Sequence, residues 1–135
     1  LSTSDGGANW TYQPVGIGKN LSAASFVDDQ TGWVVGNMNG ENEVILATSD
    51  GGTTWVPQTT GEDVALQDVY FVDARTGWAV GRGIFSTTDG GTTWTHEDEG
   101  TQDVLFGVSF IDAQTGWVVG DRGTILKMTT NGEAK

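Results

Sequence analysis

The side chains that could do chemistry in this 135-residue chain are mostly carboxylates: 18 Asp plus Glu against 6 Lys plus Arg, with one His and no Cys. The most regular carboxylate pattern is a box, Ser/Thr-x-Asp-x-Gly-x-Thr/Ser-Trp. It reads TSDGGTTW at 48–55, TTDGGTTW at 87–94 and TSDGGANW at 3–10, and a truncated form, TTNGEAK, occupies 129–135. A calcium loop needs six to eight oxygen ligands, and one Asp per turn is too few. A phosphate loop needs a Lys after its glycines, and none follows here. The box therefore reads as a structural corner. Asp5, Asp50 and Asp89 accept turn amides, Gly7, Gly52 and Gly91 supply positive φ, and Trp10, Trp55 and Trp94 pack between strands.

The remaining candidates are scattered polar residues. Arg82 and Arg122 each follow a TGWxVG motif, and Asp121, Asn39 and Lys19 fall in neighbouring loops. They form a tentative binding set for a polar ligand or a protein. His96 stands beside several carboxylates, which suits a solvated surface histidine. With no Cys and no nearby nucleophile, Ser–His and Cys–His catalysis are unsupported. No catalytic residue, metal or cofactor is assigned.

Bulk properties exclude whole partner classes. A net charge of −12 lacks the basic footprint that nucleic acid requires. No run approaches the roughly 18 apolar residues of a membrane span, so membrane insertion is not expected. The absence of Cys removes disulfides and thiolate sites. An extracellular or periplasmic location is favoured.

Positioning comes from repeats. TGWxVG places Trp33, Trp78 and Trp117 at intervals of 45 and 39 residues, the spacing of propeller blades built from four strands. Each box Asp precedes the next of these Trp residues by 28. All length variation lies between TGWxVG and the following box, as in a frame with one variable face. The reading is all-β, with strand A at 21–27, 66–72 and 105–111, and strand B at TGWxVG. Strand C falls at 43–47, 83–86 and 124–128, and strand D at 55–58 and 94–96. The blades run roughly 21–60, 65–100 and 105–131 within a single domain over 1–135, preceded by an N-terminal outer strand over 8–15. Gly32, Gly77 and Gly116 are expected to permit the A–B backbone twist. Strand A could line a channel with Ser22, Ala24, Gln67, Val69, Phe106 and Val108, or with the alternate set.

Box and TGWxVG together resemble the photosystem II stability and assembly factor family of β-propellers, over nearly the whole chain. The resemblance implies four-stranded blades around a central channel, with boxes on the periphery at the C–D turn. It also implies a non-catalytic, protein-binding role with an arginine-rich surface, for which Arg82 and Arg122 are the candidates. The box also occurs in sialidases. A sialidase-like glycoside hydrolase, with a site shared between subunits and a carbohydrate ligand, is the second reading. That site needs three arginines, yet Arg75 falls in an A–B turn, opposite Arg82 and Arg122.

Closed propellers typically have four to eight blades. Three blades invite completion as a six-bladed head-to-tail homodimer. Trp10 and Tyr12 of one chain would then close the blade ended by Ile125 and Lys127 of another. The competing view is a piece of a longer propeller polypeptide.

Overall fold

The computed structural model describes residues 1–13, 15–16, 18–97 and 100–129. They form two four-stranded antiparallel meanders and one three-stranded sheet. Blade 1 is β1 (Lys19–Phe26), β2 (Gly32–Met38), β3 (Asn42–Thr48) and β4 (Val56–Gln58). Blade 2 is β5 (Leu66–Phe71), β6 (Gly77–Gly81), β7 (Ile84–Thr87) and β8 (Thr95–Glu97). Blade 3 is β9 (Leu105–Phe110), β10 (Gly116–Gly120) and β11 (Ile125–Met128), with a short 3-10 turn at Asp121–Gly123. The sheets stack in chain order, β1 against β5 and β5 against β9.

The first turn of each blade is local chemistry. Asp28 Oδ1 accepts from the amides of Gln30 and Thr31, at 2.8 and 2.7 Å. Asp73 repeats this with Arg75 and Thr76, both at 2.8 Å. These carboxylates tie the A–B turn from within, and the amide bonds hold both below the usual carboxylate range.

The TGW glycine serves packing rather than twist. None of Gly32, Gly77 and Gly116 has positive φ. A Cβ on each would lie 2.4–2.5 Å from the ring of Phe26, Phe71 or Phe110. Glycine here makes room for the aromatic ring at the end of strand A. The glycine closing TGWxVG does the same for backbone: a Cβ on Gly36, Gly81 or Gly120 would fall 1.9, 2.1 or 2.5 Å from the carbonyl oxygen of Asn20, Ala65 or Val104.

Simple alternation along strand A fails. Its pairing with strand B slips between Leu21 and Ala23, between Leu66 and Asp68, and opposite Val119 and Gly120. The bulge puts an extra residue into the inner strand and reverses the faces beyond it. Of the two sets left open for the channel, Val69 and Val108 belong to the one whose valines are buried between blades.

Two other expectations change. Over 8–15 the described residues hold a single antiparallel bridge, Thr11 with Ser2. Pro14 lies outside the described residues. At the other end, Gly116 faces Met128, whereas Gly32 and Gly77 face Thr48 and Thr87. Met128 thus takes the buried place of the box threonine, one residue ahead of Thr129. The rest of that truncated box lies outside the described residues.

Candidate binding face

The box is held by its own side chains. Thr48 Oγ1 donates to Asp50 Oδ1 at 2.8 Å and accepts from the Gly52 amide at 2.9 Å. Asp50 also accepts from the Thr54 amide, at 2.9 Å, and hydroxyl, at 2.6 Å. Thr87, Asp89, Gly91 and Thr93 repeat these bonds. In the first box the partner of Asp5 is Asn9, through amide and side chain. The three carboxyls are lowered to about 2. The cause is led by the Thr54 and Thr93 hydroxyls for Asp50 and Asp89, and by the Asn9 amide for Asp5. Both oxygens of each box Asp thus accept hydrogen bonds inside its own turn.

The two box glycines face different neighbours. Gly51 and Gly90 donate their amides to the carbonyls of Gln30 and Arg75, both at 2.9 Å. This docks each box on the A–B turn of its own blade. Gly52 and Gly91 have φ of 91° and 90°. A Cβ there would lie 2.2 and 2.1 Å from Oε1 of Gln13 and Gln58. The preceding segment in each case lays a Gln side chain across the second glycine. Gln13 and Gln58 each stand three residues after a box Trp, a signal that was readable but unread.

Aromatic rings complete the joint between blades. Trp33 stacks on Phe71 of the next blade, centroids 3.5 Å apart and planes within 3°. Its indole N–H donates to the Gly90 carbonyl at 2.9 Å. Trp78 stacks on Phe110 at 3.4 Å. Trp94 meets Phe71 edge-on.

The opposite end of the sheets carries the B–C turns and D–A crossovers. Arg82 and Asn39 are exposed there, and Asn39 adopts φ 57° beside Gly40. Arg122 has φ 56°. Its side chain is 85% exposed, with Nε 3.7 Å from Asp103 Oδ1. Asp121 is fixed by its amide bond to the Val104 carbonyl, and Asp103 Oδ2 accepts from Thr124 Oγ1 at 2.6 Å. Arg122 and Thr124 are thus gathered around Asp103. Lys19 Nζ is turned inward to donate to the Val15 carbonyl at 2.9 Å. This face is anchored by Glu43, near the start of β3 and missed by sequence reasoning, and by a contact of His96. Glu43 accepts from the Thr60 amide and hydroxyl and from Thr59, and His96 Nδ1 lies 2.7 Å from Glu62 Oε2. Asp98 and Glu99 lie outside the described residues. Arg75 lies at the box end, so the three arginines do not converge. Among the described residues, no three His, Asp or Glu side chains stand together to hold a metal ion.

Trp10, Tyr12, Ile125 and Lys127, expected at a blade-closing edge, are all exposed. Lys127 Nζ sits 5.8 Å over the Trp117 ring.

Stacked antiparallel blades, the first two closed by an Asp-box and each locked to the next by a TGW tryptophan, define an Asp-box repeat of the β-propeller class. The chain belongs to the family of the photosynthesis system II assembly factor YCF48, which it matches over residues 2–96 and 59–135. It is similar to the solved structure of YCF48 bound to D1 peptide, at 26% identity and TM-score 0.72, over 87% of this chain and 39% of that one. YCF48 from Cyanidioschyzon merolae shares the fold at 24% identity and TM-score 0.77, covering 95% of this chain and 42% of the other. The Niastella koreensis GH74 enzyme shares it at 18% identity and TM-score 0.68, over 83% and 21%. The chain therefore spans about two fifths of the length of the two YCF48 structures. No curated protein matches it.

Proposed function

We propose that this chain is a non-catalytic binding scaffold that takes an extended polypeptide on the face of the B–C turns and D–A crossovers. The observation that carries the reading is membership of the YCF48 family together with the likeness to YCF48 bound to D1 peptide. Arg82, Arg122, Asp121, Asn39 and Lys19 are the proposed contacts, with the arginines offering planar donors to backbone carbonyls or carboxylates. The boxes at the far end are the frame. The reading includes propeller blades over roughly 21–60, 65–100 and 105–131 and a place outside the cytoplasm.

Calorimetric titration with the D1 peptide tests the binding face. Arg82→Ala with Arg122→Ala should weaken binding about tenfold, with circular dichroism unchanged. Unaltered affinity in that double variant removes the proposed face, and turnover of a glycoside substrate overturns the scaffold reading altogether.

A further inference from the structure

We infer that Asn39–Gly40, at the tip of the β2–β3 hairpin, is a site of spontaneous deamidation to aspartate and isoaspartate, and that the Asn37 side chain sets its rate. The inference stands on this hairpin alone and does not depend on the peptide-binding reading of the surrounding face.

The reaction needs a carboxamide, an unhindered backbone nitrogen on the next residue, and water. The other described asparagines, Asn9, Asn20, Asn37 and Asn42, precede Trp, Leu, Met and Glu, whose side chains crowd that nitrogen. Asn39 precedes a glycine. Asn39, Gly40 and Glu41 are exposed, and a Cβ on Gly40 would meet nothing within 4 Å. The turn itself selects the pair: Asn39 and Gly40 take φ of 57° and 83°, the two positive values that favour Asn-Gly in a tight hairpin. The corresponding turns of blades 2 and 3 carry Arg82–Gly83 and Arg122–Gly123, which offer no carboxamide. The Asp–Gly steps of the boxes are a built-in contrast. Asp50 and Asp89 are ionised far below neutral pH, and a carboxylate lacks a good leaving group. The Gly51 and Gly90 amides are also held by the Gln30 and Arg75 carbonyls.

The step balances with water alone. The Gly40 nitrogen attacks Asn39 Cγ and gives up its proton, the Cγ–Nδ2 bond breaks, and ammonia leaves a five-membered imide. Water then opens the imide at either carbonyl. One opening gives aspartate. The other gives isoaspartate, in which the main chain runs through the side-chain carbons. The imide nitrogen carries no hydrogen, and this is where Asn37 acts. Gly40 N–H donates to Asn37 Oδ1 at 2.8 Å, and Asn20 Nδ2 donates to the same oxygen at 3.3 Å from the facing strand. Ring closure consumes the very N–H that Asn37 holds, so that bond is lost before product forms. The Glu41 amide, donating to the Met38 carbonyl at 3.2 Å, closes the turn around it. Isoaspartate adds a main-chain carbon inside the loop closed by the pair Met38 and Asn42. Either product adds a negative charge to a chain already at −12.

Ageing the full 135-residue chain in mildly alkaline buffer tests this, with peptide mapping by mass spectrometry and isoaspartyl methyltransferase labelling as readouts. Mapping separates Asn39 from Asn131–Gly132, which lies outside the described residues. The Asn39 peptide should convert to a mixture of aspartate and isoaspartate, more slowly in the folded chain than in the same chain in urea. Asn37→Ala removes the acceptor and should speed conversion in the folded chain about fivefold. Far-UV circular dichroism of Asn37→Ala should match the parent, and the parent's folded-against-urea ratio gives a reading of the brake that needs no variant. An Asn39 that stays a carboxamide in both folded chains while the urea-treated chain converts overturns the site. Equal rates in the parent and in Asn37→Ala overturn the role of Asn37. Faster conversion at Asn9, Asn20, Asn37 or Asn42 than at Asn39 overturns the choice of residue.

Discussion

Phe71 and Phe26 hold the same place in consecutive blades and have opposite surroundings. Phe71 is buried between the stacked Trp33 and the edge-on Trp94. Among the described residues, the aromatic partner of Phe26 is the edge-on Trp55, at 6.2 Å. The strand, the TGW glycine beneath the ring and the following Asp turn are common to both. What differs is the tryptophan of a preceding blade. A blade of this kind is thus half a packing unit, and its inner aromatic is completed only by its neighbour.

The largest expected contrast is between these two rings. Phe71→Ala should cost about 3–5 kcal/mol in chemical denaturation, as for a buried aromatic that leaves a cavity. Phe26→Ala should cost about 1–2 kcal/mol in the monomer, since much of its surface is already in water. Equal losses would mean that neither the stack nor the deeper burial of Phe71 contributes.

A second contrast lies in the box glycines. Gly91→Ala and Gly7→Ala both place a side chain at positive φ, a strain of about 1–3 kcal/mol. Only at Gly91 does the new methyl collide with Gln58, whereas at Gly7 its nearest neighbour is the Trp10 ring at 3.6 Å. Overpacking should add about 1–3 kcal/mol at Gly91 alone. Gln58→Ala in the Gly91→Ala background should recover part of that loss, and a failure to recover it would remove the Gln–Gly contact from the account.

The smallest effects concern the box carboxyls. Their folded pKa values, about 2, lie below the ordinary 3.8, so they stabilise the fold above about pH 4. That contribution is lost as pH falls from about 4 towards 2. Removing the hydroxyl in Thr93→Ala should raise the Asp89 pKa in an NMR titration. Asn9→Ala, which retains the backbone amide that dominates at Asp5, should move Asp5 less. An Asp89 titration unmoved by Thr93→Ala would show that the amides alone hold the turn.

Much of this frame was legible because it is local. The box, the Asp turn and the strands sit within a few residues of each other, and the constant 28-residue spacing marks each blade. The joints were not legible, because their partners lie on either side of the hairpin whose length varies. Trp33 and Phe71 are 38 residues apart, Trp78 and Phe110 only 32, so no single period reveals the stack. The bulge in strand A hid which residues face the next blade, since it inverts a simple two-residue alternation after Ser22, Gln67 and Phe106. Likewise the register of Met128 depends on hairpin pairing, which the motif at Thr129 disguises. On the binding face, Arg82 and Arg122 stand out as rare cations, but the crossover anchors Glu43 and Asp103 look like any other acid in so acidic a chain.

The Gly90 carbonyl oxygen accepts from both the Trp33 indole and the Gln58 amide, so both of its acceptor sites are filled from blade 1. Unravelling blade 1 alone would strip that oxygen of both donors and uncover the Phe71 ring at once. Adjacent blades must therefore open together. In hydrogen exchange, the backbone amides of the middle sheet should be the slowest of the three, released only when the whole array melts.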